Sequence, residues 1–178
     1  MKQRHYAIVD NFLNHEEIEN LTKFFDQKPK EVATVHDYQT NISVRKVLKS
    51  EITTYSNIAS NIWYLTEKVN SLSWNFDISE INQIEYLTYE IDGKYESHID
   101  TSLGDDSPIS RKLTTVIFLN DDFAGGKFYI QHGESKKYPK QTPGTAIVFP
   151  SFLLHGVEPV YRGVRKSIVA WTIGPRFR

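Results

Sequence analysis

The sequence predicts a mainly β protein of the α+β class, an antiparallel sandwich or jelly roll buttressed by N-terminal helices. Three observations carry this. In the first part of the chain apolar residues recur at spacings of three and four, as on one face of a helix. From Trp74 onward the apolar runs shorten, become rich in β-branched and aromatic residues, and are divided by Gly, Pro, Asn and Asp. Helical and strand patterns do not alternate, which argues against a parallel βαβ sheet. The 178 residues fit one domain. Its helical support is expected over about residues 1–73 and its β core over about 74–178, with no internal repeat or linker.

The elements follow in chain order. Tyr6 to Leu13 reads as a short strand. Asn14, followed three residues later by Glu17, is a capping-box pattern that opens a helix with Ile18, Leu21, Phe24 and Phe25 on its apolar face. A second helix is expected from Glu51 to Val69, carried by Ile52, Tyr55, Ile58, Ile62, Leu65 and Val69. Strands are expected over Ile81 to Tyr89, Leu113 to Leu119, Lys127 to Ile130, Ala146 to Phe149 and Val164 to Ile173. The segment 101–110, rich in Gly, Pro, Ser and Asp, reads as a loop placed to act as a lid.

Composition bounds the function. Hydrophobic residues at 39% and charged residues at 24% are near the globular average. With 21 basic against 22 acidic residues, the net charge of −1 provides no electrostatic footprint for nucleic acid. The absence of cysteine excludes disulfides and thiolate metal sites. The N-terminal residues lack the apolar stretch of a signal peptide, and no apolar run of about 18 residues occurs. The expectation is a cytoplasmic protein with no membrane partner.

The chemistry concentrates in three places. His98 and Asp100 stand two apart, so in a strand both would point to one face and grip one ion. His155, at the end of the apolar run from Phe149, supplies a third ligand, and two His with one carboxylate form the facial triad of non-haem iron sites. The same set suits a catalytic zinc, so the triad alone does not name the metal. Arg165 then shares a strand face with Ser167, Val169 and Trp171. A guanidinium directed into an apolar barrel needs an anionic partner, and a ligand carboxylate held by Arg165 and Ser167 fits. A divalent metal ion, Asp100, a dianionic carboxylate ligand and Arg165 sum to zero charge. The other histidines, His5, His15, His36 and His132, have no partners at ligand spacing, with His132 at a hairpin tip and His15 on a helix surface.

These residues form an ordered series. Tyr89, Gly93, Tyr95, His98 and Asp100 come first, then Arg111 and Thr114 through Asn120, then Gly125-Gly126 and Pro143 through Pro150, and finally His155, Arg165 and Trp171. The series resembles the prolyl 4-hydroxylase-type family of 2-oxoglutarate and Fe(II) dioxygenases, with the arginine closest to its bacterial and viral branch. The resemblance covers roughly residues 81–174. It implies a double-stranded β-helix, and oxidative decarboxylation of 2-oxoglutarate to succinate and carbon dioxide coupled to hydroxylation of an unactivated C–H bond, a peptidyl proline among the candidates. It carries iron binding to His98, Asp100 and His155 and co-substrate binding to Arg165. It further suggests Tyr89 and Thr114 as co-substrate contacts, Tyr95 and Trp171 as walls that meet a peptide or small-molecule substrate, and dioxygen and ascorbate as co-reactants. Two departures stand out: collagen-type members have lysine in place of Arg165, and some relatives have tyrosine in place of Phe118. The competing reading is a cupin-like module that binds a metal or small molecule without catalysis. A third, a metal hydrolase, lacks an obvious general base.

Overall fold

The computed structural model describes residues 5–33, 41, 43–54, 56–101 and 107–177, and all that follows concerns these. Tyr55, His36 and the central part of the expected lid, residues 102–106, lie outside them.

Two larger sheets and a two-stranded one are built from strands β1 (Ala7–Val9), β2 (Glu31–Val32), β3 (Arg45–Lys46), β4 (Leu48–Glu51), β5 (Glu80–Tyr89), β6 (Lys94–His98), β7 (Ile109–Phe118), β8 (Ala124–Gly125), β9 (Phe128–His132), β10 (Ser135–Lys137), β11 (Ala146–Pro150), β12 (His155–Val157), β13 (Val160–Arg162) and β14 (Arg165–Pro175), with helices α1 (His15–Asp26) and α2 (Asn57–Ser73). The larger sheet has the order β1-β11-β7-β14-β5-β4-β2, the smaller β10-β9-β12-β6-β3, and β13 pairs with β8. Every pairing is antiparallel, as expected for a jelly roll.

The central strands of the larger sheet are buried on both faces, which explains their almost unbroken apolar runs. Leu113, Ile117, Ile168 and Ala170 pack toward the helices with Phe25, Ile62, Leu65 and Val69. Their strand neighbours Val116, Phe118, Val169 and Trp171 pack toward the smaller sheet with Phe128, Ile130 and Val157. This period-two division turns one face of β14 to the helices and the other to the space between the sheets.

The helices depart from expectation at their edges. The Asn14–Glu17 capping box forms in full, at 3.0 and 2.8 Å. Phe24, expected on the apolar face, is 54% exposed, while Phe25 is buried against Tyr86. The second helix begins at Asn57, behind the N-cap Ser56, rather than at Glu51. Residues Leu48–Glu51 pair with β5, and Ile52 donates its backbone N–H to Ile84 O at 2.9 Å, so sheet pairing wins over helical periodicity there. The first 73 residues therefore contribute strands to both sheets as well as helices, which short pieces such as β3 gave no period to reveal. His5 and His132 come into ring contact, their centroids 4.3 Å apart beside the Gly133 turn. No helix among the described residues is long and apolar enough to cross a membrane.

Candidate active site

Strand pairing brings two of the expected ligands together. In the β6–β12 pair His98 lies directly opposite His155, and directly opposed residues share a face. Their ring centroids are 4.3 Å apart. Asp100 is not in the strand as expected. It sits two residues past the end of β6, at a corner held by Ser151, whose carbonyl accepts from Asp100 N at 2.8 Å and Thr101 N at 3.2 Å. His155 likewise does not end the preceding apolar run. It opens β12 after a turn.

Each imidazole is oriented by its own backbone. His98 Nδ1 lies 2.8 Å from Glu96 O, and His155 Nδ1 lies 2.8 Å from Leu153 O. A carbonyl only accepts, so this contact assigns the proton to Nδ1 and leaves a lone pair on Nε2 of the neutral ring. The two Nε2 atoms face the Asp100 carboxylate at 3.5 and 3.3 Å, and ligand atoms from all three residues lie within 4.8 Å of one another. Acceptors converging in a buried place repel unless a cation sits among them. Burial and the neighbouring His155 lower the His98 pKa, against the pull of Asp100. Without a metal, burial pushes the Asp100 carboxyl upward, yet positive charge and hydrogen bonding from the His155 and His98 side outweigh it and hold the group well below the ordinary carboxylate range, a role that a metal cation would take over. A neutral His98 beside an ionised Asp100 is the state a divalent metal ion requires.

Arg165 faces the same cavity, about 400 Å³ including its mouth, together with Ser167, Val169 and Trp171. It is only 1% exposed. Its Nη1 donates to Ser167 Oγ at 2.9 Å, whereas Nε and Nη2 are buried without partners. No carboxylate pairs with it among the described residues. Burial lowers its pKa, opposed by Tyr89, but a guanidinium stays charged under ordinary conditions. Phe118, where some relatives have tyrosine, presents a ring 5.6 Å from the guanidinium carbon. Gly126, at φ 59°, makes room for the arginine stem, since a Cβ there would lie 3.1 Å from Arg165 Cδ.

The other expected residues divide. Tyr89, Tyr95 and Trp171 line the cavity. Burial raises the Tyr89 pKa against the effect of Arg165 and Arg45, so its hydroxyl keeps its proton. The Tyr95 ring stacks on His98 with centroids 3.5 Å apart. Thr114 does not line the cavity: its hydroxyl donates to Asp100 Oδ2 at 2.7 Å and lies 3.0 Å from Ser151 Oγ. Its place one strand away, opposite Trp171, brings its hydroxyl to the Asp100 carboxylate. Sequence reasoning missed Ser151, Arg45 and Glu85. Arg45 lines the cavity over the Tyr95 ring and pairs with buried Glu85 at 3.0 Å, a contact between residues 40 apart that no local motif signals.

Comparison with known proteins bears on the same segment. Residues 84–173, about half of the 178, match the profile of the 2OG-Fe(II) oxygenase superfamily. A PKHD-type hydroxylase of Thermosynechococcus vestitus is 38% identical over 95 residues, covering 51% of this chain and 42% of that protein. A PKHD-type hydroxylase of Crocosphaera subtropica is 28% identical over 173 residues, covering 92% of this chain and 76% of that protein. The chain thus spans about two fifths of the first relative's length. Among solved structures, a Pseudomonas putida prolyl-4-hydroxylase superimposes with a TM-score of 0.75 at 17% identity, covering 97% of this chain and 94% of that one. A Trichoplax adhaerens prolyl hydroxylase, solved with a hypoxia inducible factor peptide fragment, gives 0.75 at 18% identity, covering 96% and 84%. At such identities the likeness is one of fold, and that fold is the double-stranded β-helix. The metal-ligand cluster, the Arg165 cavity and the matched segment coincide, and the chain belongs to the 2OG-Fe(II) oxygenase superfamily, which implies Fe(II), 2-oxoglutarate and dioxygen.

Proposed function

We propose that the chain works as one domain, an Fe(II)- and 2-oxoglutarate-dependent dioxygenase that hydroxylates an unactivated C–H bond of a peptide, with proline as the first candidate residue. The observation that carries this reading is Arg165, a fully buried cation with two unpartnered N–H-bearing nitrogens, in the same cavity as His98, Asp100 and His155. A non-catalytic barrel has no need of both.

In this reading the three converging acceptors hold Fe(II), and Asp100 is the anionic ligand. Arg165 receives the far carboxylate of 2-oxoglutarate. Ser167 Oγ already accepts from Arg165, which leaves its own proton to donate to the same carboxylate. Tyr89, a protonated phenol beside that guanidinium, offers a further donor. Thr114 and Ser151 act on the metal side by fixing the Asp100 carboxylate. Tyr95 buttresses His98 and, with Trp171, walls the mouth where a substrate enters. When bound, Fe(II) supplies the dioxygen chemistry that couples decarboxylation of 2-oxoglutarate, giving succinate and carbon dioxide, to insertion of one oxygen atom into the C–H bond. The charges of Fe(II), Asp100, 2-oxoglutarate and Arg165 cancel, so a low-dielectric cavity tolerates the assembly.

Support for a peptide substrate comes from the prolyl hydroxylase likeness and the peptide bound to the Trichoplax adhaerens protein. Ascorbate as reductant and a cytoplasmic setting belong to the same proposal. The test is to incubate the protein with Fe(II), ascorbate, 2-oxoglutarate and proline-rich peptides and to measure succinate together with product mass. Metal and 2-oxoglutarate binding without any succinate would favour the cupin-like binding module.

A further inference from the structure

Charge compensation around the cavity leaves one cation over, and this inference rests on the oxygenase reading above. Arg45 and Lys49 meet Glu85 at 3.0 and 3.2 Å, and Lys49 also reaches Glu51 at 3.9 Å, so two cations face two anions. Asp100 and Arg165 are balanced by the metal ion and the co-substrate dianion. Arg111 remains. It is half-buried, its guanidinium carbon 4.1 Å from the indole centroid of Trp171, which lines the cavity. Its one hydrogen-bond partner among the described residues is neutral, Gln83 Oε1 at 2.9 Å, and Gln83 is held in turn by Glu85 at 3.0 Å. No carboxylate lies within ion-pair distance of Arg111 among the described residues.

The position of this cation matters more than its count. It lies against the indole of Trp171, itself a wall of the cavity, and burial has already stripped part of its hydration. A guanidinium held flat on an indole keeps one edge of its donor fork free, and a carboxylate is the group that fork matches with two parallel bonds. A substrate that covers the mouth would exclude water and strengthen that attraction.

We propose that the substrate carries a carboxylate next to the residue that is hydroxylated, and that Arg111 receives it beside Trp171. The carboxylate is either an acidic side chain or a free chain end. Arg111 thereby sets specificity by charge, while Tyr95 and Trp171 supply the apolar walls.

The test is equilibrium binding to protein loaded with Mn(II) and N-oxalylglycine. The probes are end-capped Ala-Ala-Pro-Glu-Ala, its Gln and Lys counterparts, and N-capped Ala-Ala-Pro with a free terminal carboxylate. One or both anionic probes should bind on the order of tenfold more tightly than the Gln peptide, as for a charge-assisted hydrogen bond, and the Lys peptide most weakly. Whichever anionic probe gains identifies the source of the carboxylate. Arg111→Gln should erase the preference and Arg111→Glu should reverse it. Equal affinities in the wild type, no binding by any probe, or a preference that survives Arg111→Gln overturns the proposal. Asp105 and Asp106 lie outside the described residues, and their own carboxylates are the internal rival. A preference that arises only in an Asp105→Asn, Asp106→Asn variant would mean that the chain already satisfies Arg111, and would also overturn it. Succinate release by the wild type without peptide reports on the oxygenase reading separately.

Discussion

Arg165 and Tyr89 are cross-strand partners in the β14–β5 pair, and the guanidinium carbon lies 4.9 Å from the tyrosine ring centroid. The ring satisfies part of the cation's electrostatics but none of the N–H bonds at Nε and Nη2. Arg165→Ala should therefore weaken 2-oxoglutarate binding by about 2 to 5 kcal/mol, as when one partner of a buried charge pair is removed. Iron binding should change little. Titration of the iron-loaded variant with 2-oxoglutarate checks this, and an unchanged affinity would remove Arg165 from the role.

The same residue makes an opposite prediction for the empty protein. Replacing even a paired set of buried charges by apolar side chains of similar volume is often neutral or stabilising by about 1 to 4 kcal/mol, and a cation buried without an anion has less to lose. Ligand-free Arg165→Met should unfold in urea at or above the wild-type midpoint, and 2-oxoglutarate should no longer raise it. A variant markedly less stable than wild type would mean that the contacts with Ser167 and Tyr89 outweigh the cost of burying the cation.

Asp100→Ala deletes the single anionic ligand of the cluster. Metal affinity should fall by more than about 100-fold, beyond the usual cost of losing an outer-shell partner, and succinate formation should disappear while the fold persists. Metal content after dialysis and the circular dichroism spectrum decide it. Full turnover at ordinary iron concentration would contradict the assignment.

Thr114→Val keeps shape but removes the 2.7 Å bond to Asp100 Oδ2. Iron affinity should drop by about 10- to 100-fold, with 2-oxoglutarate affinity at saturating iron nearly unchanged. The reverse pattern would return Thr114 to the co-substrate contact expected from the sequence.

Iron binding should weaken as pH falls below the ordinary histidine range near 6.5. The sign follows from competition: metal takes the lone pair that a proton would occupy. Because burial and His155 lower the His98 pKa, the ring stays neutral and competent at pH 7. In metal-free protein the unfolded chain takes up that proton first, so stability contributed by this group is present above about 6.5 and declines below it. Iron titrations between pH 5 and 8 should show constant affinity at the upper end. Affinity that rises toward pH 5 would refute the neutral-imidazole assignment.

The parts of this site legible in the sequence are those whose spacing is local. His98 and Asp100, and Arg165, Ser167 and Trp171, each lie within one short segment, and period-two geometry predicts the shared cavity face of β14. The parts that were not legible depend on pairing between distant segments. Thr114 meets Asp100 only because β7 lies beside β11 and the Asp100 corner hangs on Ser151, next to the end of β11. Glu85 meets Arg45 only because β3 joins the smaller sheet and β5 the larger. The misplaced start of α2 has the same origin, since Ile52 has helical spacing but its backbone is claimed by β5.

His98 and His155 stand fifty-seven positions apart in the chain, yet directly opposite in the β6–β12 pair. An ion gripped from both sides would close a polymer loop that contains β7 through β11. Loop closure acts on the unfolded ensemble, which must give up every configuration in which the ends drift apart, whereas the native sheets already hold those ends together. The metal would then serve as a staple in a chain without disulfides. Losing it would loosen the junction between β6 and β12, so one ion would set both the reactivity of the protein and its mechanical cohesion.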